Sequence, residues 1–108
     1  MDFKEYQEKA IKNKVYGYGA KIIYPALGLG NEAGEVQGKV KKVLRDYDGE
    51  FTPELCKGIA MEIGDTLWYC AALADDLGVS LQDIAEGNLK KLEDRRNRGV
   101  IQGSGDYR

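Results

Sequence analysis

The 108-residue chain contains no histidine. That absence removes Ser-His-Asp and Cys-His nucleophile systems, and every metal site that needs imidazole. Cysteine is nearly as scarce. Cys56 and Cys70 lie 14 apart with no CxxC pattern, both among helix-type apolar residues, which reads as reduced, packed thiols rather than a disulfide. Proline occurs only at positions 25 and 53, so long stretches carry no helix breaker. No apolar run approaches the ~18 residues of a membrane span. The first residues, Met1 to Glu5, lack the apolar segment of a signal peptide. A cytoplasmic protein without membrane contact is therefore expected. Neither sign of charge prevails: 16 Lys and Arg face 18 Asp and Glu, for a net charge of −2 and a pI near 5.2. A general nucleic-acid binder needs a basic surface that displaces counterions, so no nucleic-acid polymer is expected as a partner. Metal chemistry, if present, must fall to carboxylates.

What remains is an ordinary globular composition, 43% hydrophobic and 31% charged, with room for one domain over residues 1–108. A chain this short exposes much of its surface, so its core depends on good helix packing, a metal or self-association. The periodicity is helical almost throughout. A first helix is expected over residues 2–14, with Asp2 and Glu5 as a capping-box-like start and Phe3, Tyr6, Ala10 and Ile11 on one face. A Gly/Tyr-rich loop from Val15 to Pro25 follows. The second helix is expected from about Leu27 to Tyr47, ended by Asp48-Gly49. Thr52 as N-cap and Pro53 at the first helical position open a third, which stops at Gly78. Ser80 to Asp83 caps a fourth, running to about Arg98, and residues 99–108 form a glycine-rich tail. The fold class is all-α.

Acidic residues three apart recur at 2/5, 5/8, 32/35, 62/65 and 83/86. Random placement of 18 acids in 108 positions already predicts about three such pairs, so position must separate them. Asp2, Glu5, Glu8, Asp83 and Glu86 lie in or near first turns, where the helix dipole accounts for them. Glu62 and Asp65 sit mid-helix, within roughly 60° of each other at one edge of an apolar stripe. Glu32 and Glu35 occupy the same edge of the second helix. Antiparallel packing through those stripes brings four carboxylates to one seam, where they repel unless a cation intervenes. All-oxygen ligands suit Mg²⁺ or Mn²⁺. Spacing leaves a plainer alternative: Glu32 and Glu35 as first-turn acids after an N-cap at Asn31, with Glu62 and Asp65 on a solvated edge. A ferritin-like di-iron site is excluded, since it needs Glu-x-x-His pairs.

Glu32-Ala33-Gly34-Glu35, followed 26 residues later by Glu62-Ile63-Gly64-Asp65, resembles the ExxE…ExxD signature of the MazG-like, all-α nucleoside triphosphate pyrophosphohydrolases. Asn88-Leu89-Lys90-Lys91-Leu92 through Arg95 is similar to that superfamily's N-x-x-K-L-x-x-R segment, and Gly103 to Arg108 resembles the tail of compact members. The likeness spans roughly residues 24–108. It implies a four-helix domain whose two long antiparallel helices carry the metal site. It also implies hydrolysis of a (d)NTP to a (d)NMP and pyrophosphate. Glu32, Glu35, Glu62 and Asp65 would hold Mg²⁺, with Mn²⁺ as substitute and more than one ion per site, and Glu35 would take the proton of the attacking water. Asn88, Lys91 and Arg95, one helical face, would reach phosphate, sugar or base, joined by Lys39 and Lys42. Trp68 and Tyr69 are candidates for base stacking, and Gln7 and Tyr6 for the pocket wall. A homo-oligomer is implied, a tetramer ahead of a dimer, in a bacterial cell or in host cytoplasm for a phage protein.

For each of these residues a structural role stands beside the functional one. Lys91 and Arg95 also suit a solvated basic face, Trp68 also suits a core, and the tail reads equally as a lid or as disorder. The base preference leans to dGTP ahead of dCTP. A dUTPase- or dCTPase-type relative, or a helical nucleotide-binding or oligomerisation module that does not hydrolyse, are the alternatives.

Overall fold

The computed structural model describes residues 1–108. Four α-helices follow one another: α1 Phe3–Ala10, α2 Ile23–Asp46, α3 Pro53–Asp76 and α4 Leu81–Asn97. Short 3₁₀ turns at Ile11–Asn13 and Tyr18–Ala20 lie between α1 and α2, and no segment is a strand.

Helix ends follow local chemistry. The Asp2 carboxylate accepts the Glu5 N–H at 2.8 Å, the Thr52 hydroxyl accepts that of Leu55 at 3.2 Å, and the Ser80 hydroxyl accepts that of Asp83 at 3.4 Å. Asp48 and Gly49 take positive φ and end α2, with the Gly49 N–H closing onto the Val43 carbonyl at 3.0 Å. Gly78, at φ 75°, separates α3 from α4.

Two boundaries differ from the sequence expectation. The first helix gives way to a 3₁₀ turn after Ala10 rather than running to residue 14. The second begins four residues earlier than Leu27, at Ile23, so Pro25 lies inside its first turn, where a missing N–H costs nothing. The start was hidden because its cap is not local. Ile22, at φ 70°, offers no capping side chain; its N–H is taken by the Asp76 carboxylate, 54 residues on, at 2.9 Å. Asp76 also accepts the Tyr16 hydroxyl at 2.8 Å and the Lys14 ammonium at 2.7 Å. Burial alone would raise its pKa, but the Ile22 N–H, Lys14 and Tyr16 together bring it below the ordinary carboxylate value.

The principal packing is α2 against α3, an antiparallel pair of 24-residue helices, each about 36 Å long. The register is readable from three contacts across the seam. Gly28 faces Tyr69, Glu32 faces Asp65, and Lys39 faces Gly58. Gly28 is required there, since a Cβ would lie 2.2 Å from the Tyr69 ring. α1 crosses the C-terminal half of α3, and α4 leaves the end of α3 touching α1 and α3 through its first turns. A small core of Ala10, Ala71 and Leu81 forms at that junction, with Tyr6, Leu67, Trp68 and Cys70 around it. The Gln7 amide is buried in it, donating to the Ala71 and Val79 carbonyls and accepting the Leu81 N–H. Apolar positions are only partly covered: Ile63 on α3 and Leu44 on α2 are 58% and 66% exposed.

Candidate metal centre

Glu32 on α2 and Glu62 and Asp65 on α3 bring one carboxylate oxygen each to within 4.8 Å of one another. Their convergence follows from the fold. Glu62 and Asp65 are one turn apart, and the antiparallel register sets Glu32 between them. Because α2 begins at Ile23, Asn31 is not an N-cap and Glu32 lies in the third turn. The helix dipole is satisfied within the first turn and does not account for an acid there. Glu35, the fourth acid of the sequence pattern, is one turn further on, exposed and outside the cluster of three. Its charge still reaches Glu32.

The electrostatics are those of too many carboxylates for one cation. The Lys39 ammonium bonds Glu62 at 3.0 Å and the Gly58 carbonyl at 3.1 Å. This contact holds the Glu62 carboxyl below its ordinary value against the effect of burial. Glu32 moves the other way. Burial, a hydrogen bond shared with Glu62, and the charges of Asp65, Glu62 and Glu35 all raise it. The pair therefore splits into an ionised Glu62 and a Glu32 that takes up a proton more readily. Three carboxylates that share one lysine fit a hard divalent ion, which would replace that proton and cancel the repulsion.

Tyrosines border the cluster. Tyr69, one turn beyond Asp65, has its hydroxyl pushed up by the Tyr24 hydroxyl, by burial, and by the charges of Glu32 and Asp65. Tyr6 on α1 is raised by burial, Cys70 and Asp65. Two cavities lie on either side. One, of about 290 Å³, is lined by Lys39, Lys42, Asp46, Tyr47, Glu54, Leu55 and Gly58, and so begins at the lysine that touches Glu62. The other, of about 340 Å³, is largely apolar and lies among Met1, Asp2, Phe3, Tyr6, Leu67 and Gln82.

The remaining sequence candidates are more dispersed. Asn88 and Lys91 are exposed on α4, which packs against α1 and α3 rather than along α2. Arg95 is buried, with its guanidinium donating to the Asp106 carbonyl at 2.7 Å. The tail is folded back rather than extended: Arg108 donates to the carbonyls of Val100, Ile101 and Gly105. Trp68 is half-buried, donates its indole N–H to the Ala10 carbonyl at 3.0 Å, and meets Tyr69 edge-on at 4.9 Å. Gln7 is fully engaged in the core. Sequence reasoning missed the Gly28–Tyr69 contact and the Asp76 clamp. Neither has a motif, although Gly28 lies one turn before Glu32, and Tyr69 one turn after Asp65.

Comparison with known proteins identifies the family. Residues 26–100 match the MazG nucleotide pyrophosphohydrolase domain. The chain is 52% identical over 87 residues to the Gene 37 protein of Mycobacterium phage L5, covering 81% of this chain and 76% of that one. No solved structure matches. None of its helices is long and apolar enough to cross a membrane. The all-α fold, the paired carboxylates and the match over most of the chain lead to one conclusion: this protein belongs to the MazG nucleotide pyrophosphohydrolase family.

Proposed function

We propose that the chain hydrolyses a (d)NTP to the (d)NMP and pyrophosphate, controlling or cleaning a nucleotide pool. The observation that carries this is the convergence of Glu32, Glu62 and Asp65 at mid-helix positions beyond the reach of a helix dipole. These three, joined by Glu35 at the exposed edge, hold Mg²⁺, with Mn²⁺ as substitute and more than one ion per site. When bound, the ions supply positive charge against phosphate oxygens and acidify an attacking water. Glu35 acts as general base: it is the acid left outside the cluster, and it is exposed.

The flanking cavities support an orientation for the nucleotide. The triphosphate lies toward Lys39 and Lys42. Lys39 exchanges Glu62 for a phosphate oxygen once the acid charge is neutralised. The base lies toward Phe3, Tyr6 and Leu67, and the proposed substrate is a deoxypurine triphosphate, dGTP ahead of dCTP. Asn88 and Lys91 contact substrate across a subunit boundary in a homo-oligomer, a tetramer ahead of a dimer. Arg95 reaches phosphate only when Asp106 releases it, so the tail is the element that moves. Trp68 supports the pocket by anchoring α1 to α3. The phage relative is consistent with action in the host cytoplasm.

Incubating the protein with each of the eight NTPs and dNTPs and Mg²⁺ or Mn²⁺, with products separated by ion exchange, tests this reading. Monophosphate plus pyrophosphate from one or two substrates is expected. Diphosphate plus phosphate would move the cleaved bond. No product from folded protein would leave a helical module that does not hydrolyse.

A further inference from the structure

Ile22 stands at φ 70°, in a backbone conformation strained for a β-branched residue, and one carboxylate keeps it there. Oδ2 of Asp76 accepts both the Ile22 N–H at 2.9 Å and the Tyr16 hydroxyl at 2.8 Å, while Oδ1 takes the Lys14 ammonium at 2.7 Å. Asp76 is buried at the last position of α3. The loop that it grips has little other hold. Val15 and Tyr18 are 92% and 87% exposed, and a Cβ placed at Gly17 or Gly19 would touch nothing. Such a segment belongs to the least stable part of a fold, so its order depends on the Asp76 clamp.

Two connections lead from the clamp to the carboxylates. The first is the backbone of α2. The Ile22 carbonyl accepts the Ala26 N–H at 3.0 Å, so the residue held by Asp76 is the first link of the ladder that carries Glu32, about 15 Å further along the axis. The second is a column of rings. Tyr16 stacks on Tyr24 with centroids 4.9 Å apart, and Tyr24 meets Tyr69 at 6.3 Å. The Tyr69 ring lies so close over Gly28 that no Cβ fits there. Gly28 is one turn before Glu32 and Tyr69 one turn after Asp65, so the last ring is wedged between the helices beside the acids they bring together. The charges of Glu32 and Asp65 act on the Tyr69 hydroxyl.

We propose that Asp76 is a positioning residue for the carboxylate cluster: through Ile22 and the Tyr16–Tyr24–Tyr69 column it holds Glu32 in register with Glu62 and Asp65, and a divalent cation bound there tightens the 14–22 loop in return. The coupling is reciprocal, since whatever the clamp adds to cation binding the cation adds to the clamp. The element that both ends bias is the start of α2, gripped or released. This coupling presupposes the cation site proposed above. Beyond that site, it makes a loop remote from the ligands both a determinant of metal affinity and a reporter of metal occupancy.

Two measurements on the full-length chain test it: hydrogen exchange by mass spectrometry with and without saturating Mg²⁺, and Mn²⁺ titration by electron paramagnetic resonance. In wild type, Mg²⁺ should slow exchange of a peptide spanning residues 14–24 roughly threefold. Asp76→Asn and Tyr24→Leu should each weaken Mn²⁺ binding about tenfold and remove that slowing, with helical circular dichroism unchanged. Tyr24→Phe, which keeps the ring, should bind Mn²⁺ within about twofold of wild type. Ser80→Ala, which removes the α4 cap far along the chain from the column, should lower stability and leave Mn²⁺ affinity unchanged. That contrast separates positioning from a general loss of stability. Should Asp76→Asn fail to fold, Tyr16→Phe removes one bond to Asp76, keeps the stack, and should weaken Mn²⁺ binding by a smaller factor. Equal Mn²⁺ affinity in wild type and the folded column variants overturns the proposal and leaves the metal centre standing. So does a loop whose exchange ignores Mg²⁺ while the ion binds, or a Ser80→Ala variant weakened as much as Tyr24→Leu. No binding of either ion to wild type overturns the proposal and the metal centre together.

Discussion

Lys39 and Glu62 meet at 3.0 Å across the α2–α3 seam, and the same ammonium bonds the Gly58 carbonyl one turn away. One cation thus serves a cluster of three carboxylates. Glu62 has the lysine, and Glu32, pressed by its neighbours, has its carboxyl raised. The arrangement leaves negative charge that a divalent ion would cancel.

Glu32→Gln follows from that imbalance. A carboxyl whose pKa is raised in the folded state contributes stability below its unfolded pKa and loses it as pH rises through the folded one. At neutral pH its charge therefore works against the fold. The variant should raise the thermal midpoint of metal-free protein and abolish the further rise that Mg²⁺ or Mn²⁺ gives wild type. A lowered midpoint, or a retained metal response, would count against the site.

Asp76 behaves oppositely. Its carboxyl is held low, so its contribution is present above the unfolded pKa and lost as pH falls through the folded one. Asp76→Ala removes a buried acceptor from Ile22, Tyr16 and Lys14 and should cost about 3–5 kcal/mol by chemical denaturation. Asp76→Asn, which keeps an oxygen, should cost less. Equal stability of both variants with wild type would show that α2 starts without this clamp.

Gly28→Ala tests the helix register. A methyl group there meets the Tyr69 ring and should cost about 1–3 kcal/mol. Pairing it with Tyr69→Leu should recover part of that loss, so the two changes are non-additive. Strict additivity would mean that the residues do not touch.

Arg95→Met should release the tail. Asp106 loses its guanidinium, and limited proteolysis within residues 99–108 should quicken while the helical signal holds. Unchanged cleavage would place the tail's anchor in Arg98 and Arg108 instead.

The sequence made α3 fully legible, because Thr52, Pro53 and Gly78 mark its ends with local chemistry. The acids of α3 were legible too, since Glu62 and Asp65 stand mid-helix whichever end is chosen. The start of α2 was not, because its cap is a carboxylate 54 residues away that holds Ile22 in a conformation isoleucine rarely adopts. That one boundary decided whether Glu32 was a first-turn acid or one further along the helix. In the sequence Trp68 reads as a base-stacking candidate and Arg95 stands out for its place in the N-x-x-K-L-x-x-R segment; the bonds that Ala10 and Asp106 make to them form only on folding and are not legible there. Glu35 shared the spacing of its neighbour but, a full turn on, lies at the rim rather than inside the cluster.

The most direct test of the account is turnover by Glu62→Gln beside wild type, followed by ³¹P NMR with a deoxynucleoside triphosphate and Mg²⁺. Glutamine keeps the size of the side chain but cannot carry the charge that ties Lys39 and completes the carboxylate set. The account predicts pyrophosphate from wild type and none above background from the variant, with the helical circular dichroism of both the same. Pyrophosphate released at the wild-type rate by folded Glu62→Gln would contradict it.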